Sequence, residues 1–219
     1  MKKYISVLKT TKLFAGVDEK DIEAMLGCLQ AELFTYKKGE YILRQGEHLD
    51  KIVVLVEGSI HIQKEDYWGN RSIINNINVG EMFGESYIAP ESGALLNDVV
   101  AIKDSIAIFF DVNRIIKTCS SACRFHSMVV QNLFFELSRK NKKLIQKLGH
   151  MSKRTTREKL LSYLSEEAKQ QNSASFSIPF NRQQLADFLS VDRSAMSNEL
   201  SKMRDEGILT FEKNKFRLL

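Results

Sequence analysis

The feature that most constrains this chain is a hydrophobic stripe with helical spacing that continues for about forty residues beyond Asp111. Intervals of three and four residues separate most of its apolar members, which are Val130, Leu133, Leu137, Leu144, Leu148 and Met151. Two polar residues, Lys140 and Lys147, interrupt the same stripe. A helix of this length is too long to be buried by a small domain alone. Such a stripe pairs most simply with its own copy as a parallel two-stranded coiled coil. The sequence therefore predicts a homodimer, with packing inside one chain as the alternative.

The segment before this helix has a different character. From Ala31 to Phe110, short stretches rich in Val, Ile, Phe and Tyr alternate with glycines at intervals of roughly ten residues. Examples are YILRQ, DKIVVLVEG, SIHIQKE, RSIINNI and SIAIFF. This pattern predicts an antiparallel β-roll, of the cupin-like jelly-roll kind, and helical spacing over residues 1–30 predicts a helical lead-in.

The C-terminal segment reads as two short amphipathic helices followed by a β-hairpin. The stretch NRQQLADFLSVDRSAMSNELSKMRDEGIL runs from Asn181 to Leu209, and Asp192 is placed to cap the second helix. Beyond it, ILTFEK and KFRLL are separated by Asn214 and predict the hairpin. A helix-turn-helix followed by such a hairpin is a winged helix.

The outer face of the second helix is small and polar, while its inner face is apolar. The predicted outward residues are Arg193, Ser194, Ser197, Asn198 and Ser201. Such a face suits a helix that enters a DNA major groove about 12 Å wide and presents donors to base edges. Near the hairpin tip, Lys213 and Lys215 are placed to reach phosphate.

Composition sets broad limits on the class of protein. Hydrophobic residues make up 43% of the chain and charged residues 27%, as in an ordinary globular protein. Three cysteines are too few for a disulfide framework, and no apolar run approaches the roughly 18 residues of a membrane span, so we expect a cytoplasmic protein. The net charge of +5 permits nucleic acid without requiring it.

Basic residues cluster just before the helix pair. The cluster consists of Arg139, Lys140, Lys142, Lys143, Lys147, Lys153, Arg154, Arg157 and Lys159. A solvated helix face is the ordinary interpretation of such a run. Its position next to a predicted DNA-binding element weakens that interpretation and leaves contact with phosphate as the alternative.

Three motifs resemble those of the Crp/Fnr superfamily of bacterial transcription regulators. DKIVVLVEGSIHI resembles the strand, turn and strand of its sensor, GEMFGE its effector-pocket signature, and RQQLADFLSVDRSAMSNEL its DNA-reading motif. The resemblance covers nearly the whole chain and implies an α+β fold. Its domains would be a cyclic-nucleotide-binding-like sensor β-roll over 1–110, a dimerisation helix and hinge over 111–151, and a winged helix-turn-helix DNA-binding domain over 152–219.

The resemblance implies a homodimeric, sequence-specific DNA-binding transcription regulator. Effector binding in the roll would reposition the two reading helices on a palindromic operator, whose half-sites lie about 34 Å apart. RNA polymerase is a further candidate partner, and no membrane partner is expected.

Carried over position by position, the resemblance assigns roles in DNA contact. Arg193, Ser194 and Asn198 are the implied base-edge contacts, Arg182 and Gln183 the implied phosphate contacts, and Ser197 would serve either purpose. Many relatives have arginine where this chain has Asn198, and glycine where it has Ser190. Because asparagine pairs with adenine and arginine with guanine, the operator is expected to differ at that base pair.

The effector pocket departs further from the family pattern. Cyclic-nucleotide-binding relatives place an arginine and a serine after FGE to hold the cyclic phosphate, and these positions fall on Leu95 and Leu96. No arginine occurs between Arg71 and Arg114, so a buried phosphate would be poorly compensated and cyclic AMP is not the expected effector. An apolar or aromatic acid, or no effector at all, are the alternatives.

The implied effector-binding positions lie on the roll and on the long helix. They are Gly84, Glu85, Ser86, Leu95 and Leu96 of the roll, with Lys140 and Asn141 of the helix. The two helix positions correspond to a hydroxyl pair that relatives direct at the nucleobase, and a shifted register would place Lys143 with Leu144 there instead.

Other chemistries find less support. An iron–sulfur sensor needs four thiolates, and the chain has three cysteines. Cys119 and Cys123 lie one helical turn apart, near His126. They are interpreted either as small buried hydrophobic residues or as a redox or metal pair. No metal site is therefore expected, and no cofactor is identified. With no paired acid and base and no nucleophile set, catalytic residues are not expected and the chain is not read as an enzyme.

The rival class is an effector-binding or redox-sensing module that acts through protein partners, with the C-terminal helices purely structural. The polar residues at Ser194, Ser197 and Asn198 argue against it, because a packing helix would carry apolar residues there.

Overall fold

The computed structural model describes residues 1–65, 67–68, 71–89, 93–116 and 124–219. The chain divides into two compact units, Met1–Ser138 and Arg139–Leu219. No helix within the described ranges is long and apolar enough to cross a lipid bilayer.

The strands described in the first unit form two four-stranded antiparallel sheets. Their bounds are β1 Glu32–Tyr36, β2 Tyr41–Leu43, β3 Lys51–Glu57, β4 Ser59–Glu65, β5 Arg71–Asn78, β6 Met82–Phe83, β7 Asp98–Ala101 and β8 Ser105–Asp111. One sheet has the order β1-β8-β3-β6 and the other β2-β7-β4-β5. The jelly-roll prediction is confirmed.

Helices precede and follow these strands. A 3₁₀ turn covers Lys2–Tyr4 and leads into α1 (Ile5–Thr10) and α2 (Glu19–Cys28), while α3 (Val112–Ile116) and α4 (Arg124–Met151) come after the last strand. The predicted lead-in is therefore confirmed, and the long helix is confirmed over Arg124–Met151, while residues 117–123 lie outside the described residues. Asp18 is the N-cap residue of α2, although its side chain makes no capping hydrogen bond.

The run IVVLV in β3 is apolar on both faces, and the packing explains why. Ile52, Val54 and Val56 belong to the core formed with the N-terminal helices and the buried start of α4. Val53 and Leu55 point to the other side, into the core between the two sheets. Because side chains alternate along a strand, a strand covered on both faces needs an unbroken apolar run.

Two faces of α4 differ in exposure. Val129 and Leu133 are buried in the core of the first unit. By contrast, Leu144 and Leu148 remain 60% and 64% exposed, and Phe134 is 65% exposed. Leu133 therefore corrects the predicted stripe: it packs within its own chain, as the half-buried Val130 and Leu137 do in part, and Phe134, which the pattern did not include, faces outward.

The second unit is a winged helix, as predicted. After the end of α4 come α5 (Thr156–Gln170), β9 (Ser175–Ser177), α6 (Arg182–Leu189), α7 (Arg193–Asp205), β10 (Leu209–Glu212) and β11 (Lys215–Leu218). The three strands form one antiparallel sheet with the order β10-β11-β9. Apolar residues of α5, α6, α7 and the sheet share a single core.

Side-chain caps fix where the last helices begin. The Asn181 side chain accepts a hydrogen bond from the backbone N–H of Gln184, whose own side chain accepts from the Asn181 N–H, both at 2.9 Å. Asp192 accepts from the N–H of Ala195 at 2.7 Å, which confirms its predicted role as the cap of α7. These contacts satisfy amides that have no partner inside the helix.

Gly58 and Gly46 form a matched pair for testing the fold of the roll. Both have a φ of +91°. A Cβ at Gly58 would lie 2.5 Å from the Asp104 carbonyl oxygen and 2.7 Å from Ser105 Cα, whereas a Cβ at Gly46 meets no described atom within 4 Å. We expect Gly58→Ala to lower the free energy of unfolding by roughly 2 kcal/mol more than Gly46→Ala, because only Gly58→Ala must displace backbone. Urea unfolding followed by circular dichroism measures both, and equal losses would contradict this packing.

Ser190 ends α6 in the left-handed conformation, with φ of 50° and ψ of 60°. Glycine adopts this conformation without steric cost, whereas alanine does not. We therefore expect the free energy of unfolding of the Ser190→Gly variant to be about 1 kcal/mol higher than that of the Ser190→Ala variant. The same unfolding assay compares the two variants, and an alanine variant as stable as the glycine variant would show that the turn does not hold this conformation.

Candidate DNA-binding surface and sensor pocket

Helix α7 separates its residues sharply by chemistry. Met196, Leu200 and Met203 on one side are fully buried. On the other side Arg193, Ser194 and Asn198 are exposed. The structure thus places three of the sequence-predicted base contacts together on the open face of one helix.

Ser197 lies beside these residues and is half-buried. Its hydroxyl donates a hydrogen bond to the Arg193 carbonyl oxygen at 2.9 Å, one turn back along the helix. The hydroxyl proton is therefore engaged within the helix, and the oxygen retains acceptor capacity.

The two predicted phosphate contacts of α6 have partners in their own domain. The Arg182 guanidinium stacks on the wing, 4.8 Å from the ring centre of Phe211 and 5.1 Å from that of Phe216. Burial lowers the pKa of Arg182 from its ordinary value. Gln183 donates from its amide to the Asp187 carboxylate at 2.8 Å. Arg182 therefore joins α6 to the wing, a role that the sequence did not indicate.

The predicted wing lysines lie at the turn of the hairpin. Lys215 begins β11 opposite Glu212, and Lys213 occupies the turn between them with a φ of 53°. Both lysine side chains are exposed. The nearby Asn214 amide donates to the Ile178 carbonyl oxygen at 3.0 Å, which ties the hairpin tip to the segment after β9.

Members of the basic run are engaged in packing the domain, and Arg157 is one of them. Arg157 forms ion pairs with Glu199 of α7 at 3.2 Å and with Glu206, which follows α7. The hydrogen bond with Glu206 is the main cause that raises the pKa of Arg157 and lowers that of Glu206. Arg157 is therefore paired within its own domain, which neither interpretation of the basic run predicted.

Lys159 is another such member of the basic run. Its ammonium donates to the carbonyl oxygens of Leu189 and Ser190, at 3.2 and 3.3 Å. These carbonyls end α6, so a cation from α5 stabilises the C-terminal turn of the first helix of the pair. No local pattern marks this role, because the partners are backbone atoms about thirty residues further along the chain.

The sensor roll contains a small cavity of about 30 Å³ between its two sheets, enough for about two water molecules. Its lining is apolar apart from Tyr87 and Asn97, and consists of Leu43, Leu49, Ile62, Phe83, Gly84, Tyr87, Leu95, Asn97 and Val99. None of these described lining residues carries a charge.

The neighbouring leucines at the predicted phosphate positions have different environments. Leu95 is buried in the cavity wall, and its backbone bonds to Gly46 and Glu47 at 2.8 Å each. Leu96 is 66% exposed, while its N–H donates to the Tyr87 hydroxyl at 3.2 Å. Only one of the pair thus reaches the pocket.

The other predicted effector residues of the roll surround the turn after β6. Gly84 has a φ of +90°, and a Cβ there would lie 3.0 Å from the Lys51 carbonyl oxygen. Glu85 is buried, whereas Ser86 is exposed. The predicted helix contacts Lys140 and Asn141 lie on α4 within the second unit.

The candidate redox residues are described only in part. Cys119 and Cys123 lie outside the described residues. His126 is buried and donates from Nε2 to the Arg114 carbonyl oxygen at 2.5 Å. Within the described ranges, no group of three or more histidine, cysteine, aspartate or glutamate side chains is arranged to hold a metal ion.

Two protein-family models match the chain, one in each unit. Residues 33–122 match the cyclic nucleotide-binding domain, and residues 158–219 match the Crp-like helix-turn-helix domain. Human and mouse cGMP-dependent protein kinase 2 are each 25% identical to this chain over 109 residues. That stretch is 49% of this chain but only 14% of each kinase, so the likeness concerns a small part of the kinases' length.

Solved structures share the fold over most of the chain. CprK complexed with OCPA has a TM-score of 0.66 at 16% identity, covering 90% of this chain and 91% of CprK. The regulator CLP of Xanthomonas campestris, described as c-di-GMP responsive, has a TM-score of 0.59 at 16% identity, covering 92% of this chain and 99% of CLP. The catabolite activator protein of Thermus thermophilus has a TM-score of 0.52 at 18% identity, covering 95% and 94%.

The order of the two matched domains, the jelly roll before the long helix and the winged helix at the end together identify the family. The chain belongs to the Crp/Fnr superfamily of transcription regulators, with a cyclic nucleotide-binding domain followed by a Crp-like helix-turn-helix domain.

Proposed function

We propose that this protein binds DNA as a sequence-specific homodimer and reads base edges with α7. The observation that carries the proposal is the exposed polar face of that helix, formed by Arg193, Ser194 and Asn198 behind a fully buried apolar face. Arginine and asparagine are the side chains that pair bidentately with guanine and adenine in the major groove. A helix that served packing alone would not leave these groups in solvent.

Phosphate contacts flank the reading face in this proposal. Gln183 at the start of α6 and the wing residues Lys213 and Lys215 supply donors to the backbone, and Ser197 adds an acceptor beside the bases. Arg182 keeps the wing in place through its stacking on Phe211 and reaches phosphate from that position. Such contacts set the register of the protein on the duplex, while the base contacts specify the sequence.

The exposed apolar residues of α4 support the dimer. Leu144 and Leu148 lie in solvent in the isolated chain, and a second copy would cover them. Two-fold symmetry then requires a palindromic operator with half-sites about 34 Å apart. A regulator of this kind acts where the DNA lies, in the cytoplasm, with RNA polymerase as a further candidate partner.

We infer that the effector is a small apolar molecule rather than cyclic AMP. The described wall of the cavity offers the hydroxyl of Tyr87 and the amide of Asn97 but no cation for a phosphate. Typical ligand pockets have volumes of roughly 300–1,000 Å³, so an effector next to Leu95 must widen this cavity. We propose that this widening of the cavity is passed on to the reading helices.

Selection of bound duplexes from a random DNA pool tests the function, once without additive and once with cyclic AMP. We expect a palindrome with half-site centres about 10 base pairs apart, enriched equally in both selections. Enrichment only with the nucleotide would contradict the effector inference. No enrichment in either selection would contradict DNA reading without the effector, and would leave an effector-dependent reader or a module that acts through protein partners.

Arg193→Ala tests the reading helix on the selected operator. We expect a loss of roughly 1–3 kcal/mol in binding free energy and relaxed preference at one base pair. Lys202→Ala is the matched control, since Lys202 is an exposed cation in the last turn of α7. Binding titrations on the operator and its single-base variants provide the measurement, and an equal loss on every sequence would make Arg193 a phosphate contact instead.

A further inference from the structure

The exposed face of α4 follows a heptad repeat. Phe134, Asn141 and Leu148 are spaced by seven residues and form one row, the a positions. The row three residues further along holds the d positions Leu137, Leu144 and Met151. Leu144 is exposed, whereas Met151 is half-buried and Leu137 packs in part against the core of its own chain. At both ends of the a row the side chains are large and apolar, with Phe134 65% and Leu148 64% exposed.

Asn141 is the polar residue in the centre of this face. It is exposed in the single chain, and none of the described residues hydrogen-bonds to its side chain. Its neighbours along the row, seven residues away in each direction, are Phe134 and Leu148. If a second copy covers this face, the Asn141 amide enters an apolar seam, where it needs a partner.

The flanking charges indicate which orientation of the second copy fits. In the same heptad Lys140 and Lys147 take the g positions, and Ser138 and Ile145 take the e positions. A parallel pair places g residues against e residues of the other copy, so Lys140 lies against Ile145. An antiparallel pair places g against g and opposes the lysines, which is unfavourable.

We propose that Asn141 hydrogen-bonds to Asn141 of a second copy and thereby restricts the protein to a parallel, in-register pair of α4 helices. This inference rests on the dimer of the proposed function. An amide both donates and accepts, so two facing copies satisfy each other. A stagger of the helices would bring each amide against an apolar side chain and leave it unsatisfied. Asn141 then has a role that requires no effector, unlike the effector contact that the family resemblance implies.

Mixing experiments with Asn141→Val test the pairing on the full-length protein without added effector. The wild-type chain is mixed with an equal amount of the variant, which carries a tag of different mass, and native mass spectrometry counts the dimers after exchange. Random pairing gives about one half heterodimers. A heterodimer leaves one amide facing valine. We therefore expect the ratio of heterodimers to homodimers to fall about 3-fold or more below its random value, which lowers the heterodimers to about one quarter of all dimers or less.

Lys142→Val is the matched control, since Lys142 is also exposed on α4 but lies outside the a and d rows. We expect it to form the random half of heterodimers with the wild-type chain. We expect sedimentation equilibrium to give the Asn141→Val homodimer a dissociation constant about ten-fold lower than that of the wild-type dimer, because the seam no longer buries an amide.

The outcomes separate this inference from the proposed function. A wild-type dimer that pairs randomly with Asn141→Val would overturn the Asn141 contact and leave the dimer standing. A wild-type chain that stays monomeric at high concentration would overturn both. Depletion of heterodimers with Asn141→Val but not with Lys142→Val supports the contact.

Discussion

The constraint on which the rest of the structure depends is that α4 carries apolar residues on two faces. One face is buried against the sensor roll through Val129 and Leu133. The other, which includes Leu144 and Leu148, is in solvent in the single chain. Burying a leucine side chain stabilises by roughly 1.5–3 kcal/mol, so several such residues favour a second copy. The proposed operator symmetry and the spacing of the two reading helices follow from that pairing.

Much of the fold was predictable because its signals are local. Asp192 caps α7 through a bond to an amide three residues away, and Asn214 lies in a hairpin whose strands are adjacent in sequence. The β-roll was recognisable because its turns depend on glycines such as Gly58, where a close approach of backbone leaves no room for a side chain. In each case the residue and its partner are near neighbours, or the residue type is itself required.

The details of the site depend on tertiary contacts and were not predictable. Leu95 and Leu96 are adjacent and chemically identical, yet only Leu95 reaches the cavity, because its backbone is held by the strand-end turn at Gly46. From the sequence alone Lys159 is a candidate phosphate-binding lysine, but the fold brings the Leu189 carbonyl oxygen within hydrogen-bond distance of its ammonium. Likewise, Arg182 contacts the Phe211 ring only because the fold places the hairpin beside α6.

Pairing of α4 with a second copy is the central claim, and the distance between spin labels on the two copies tests it most directly. With the three native cysteines replaced, one label is placed at Gln131 and, in a second protein, at Lys142, both of which are exposed. A parallel pair with axes about 8–10 Å apart predicts short and nearly equal distances at both positions. A short distance at one position with a much longer one at the other, or no dipolar signal at either, would contradict the account.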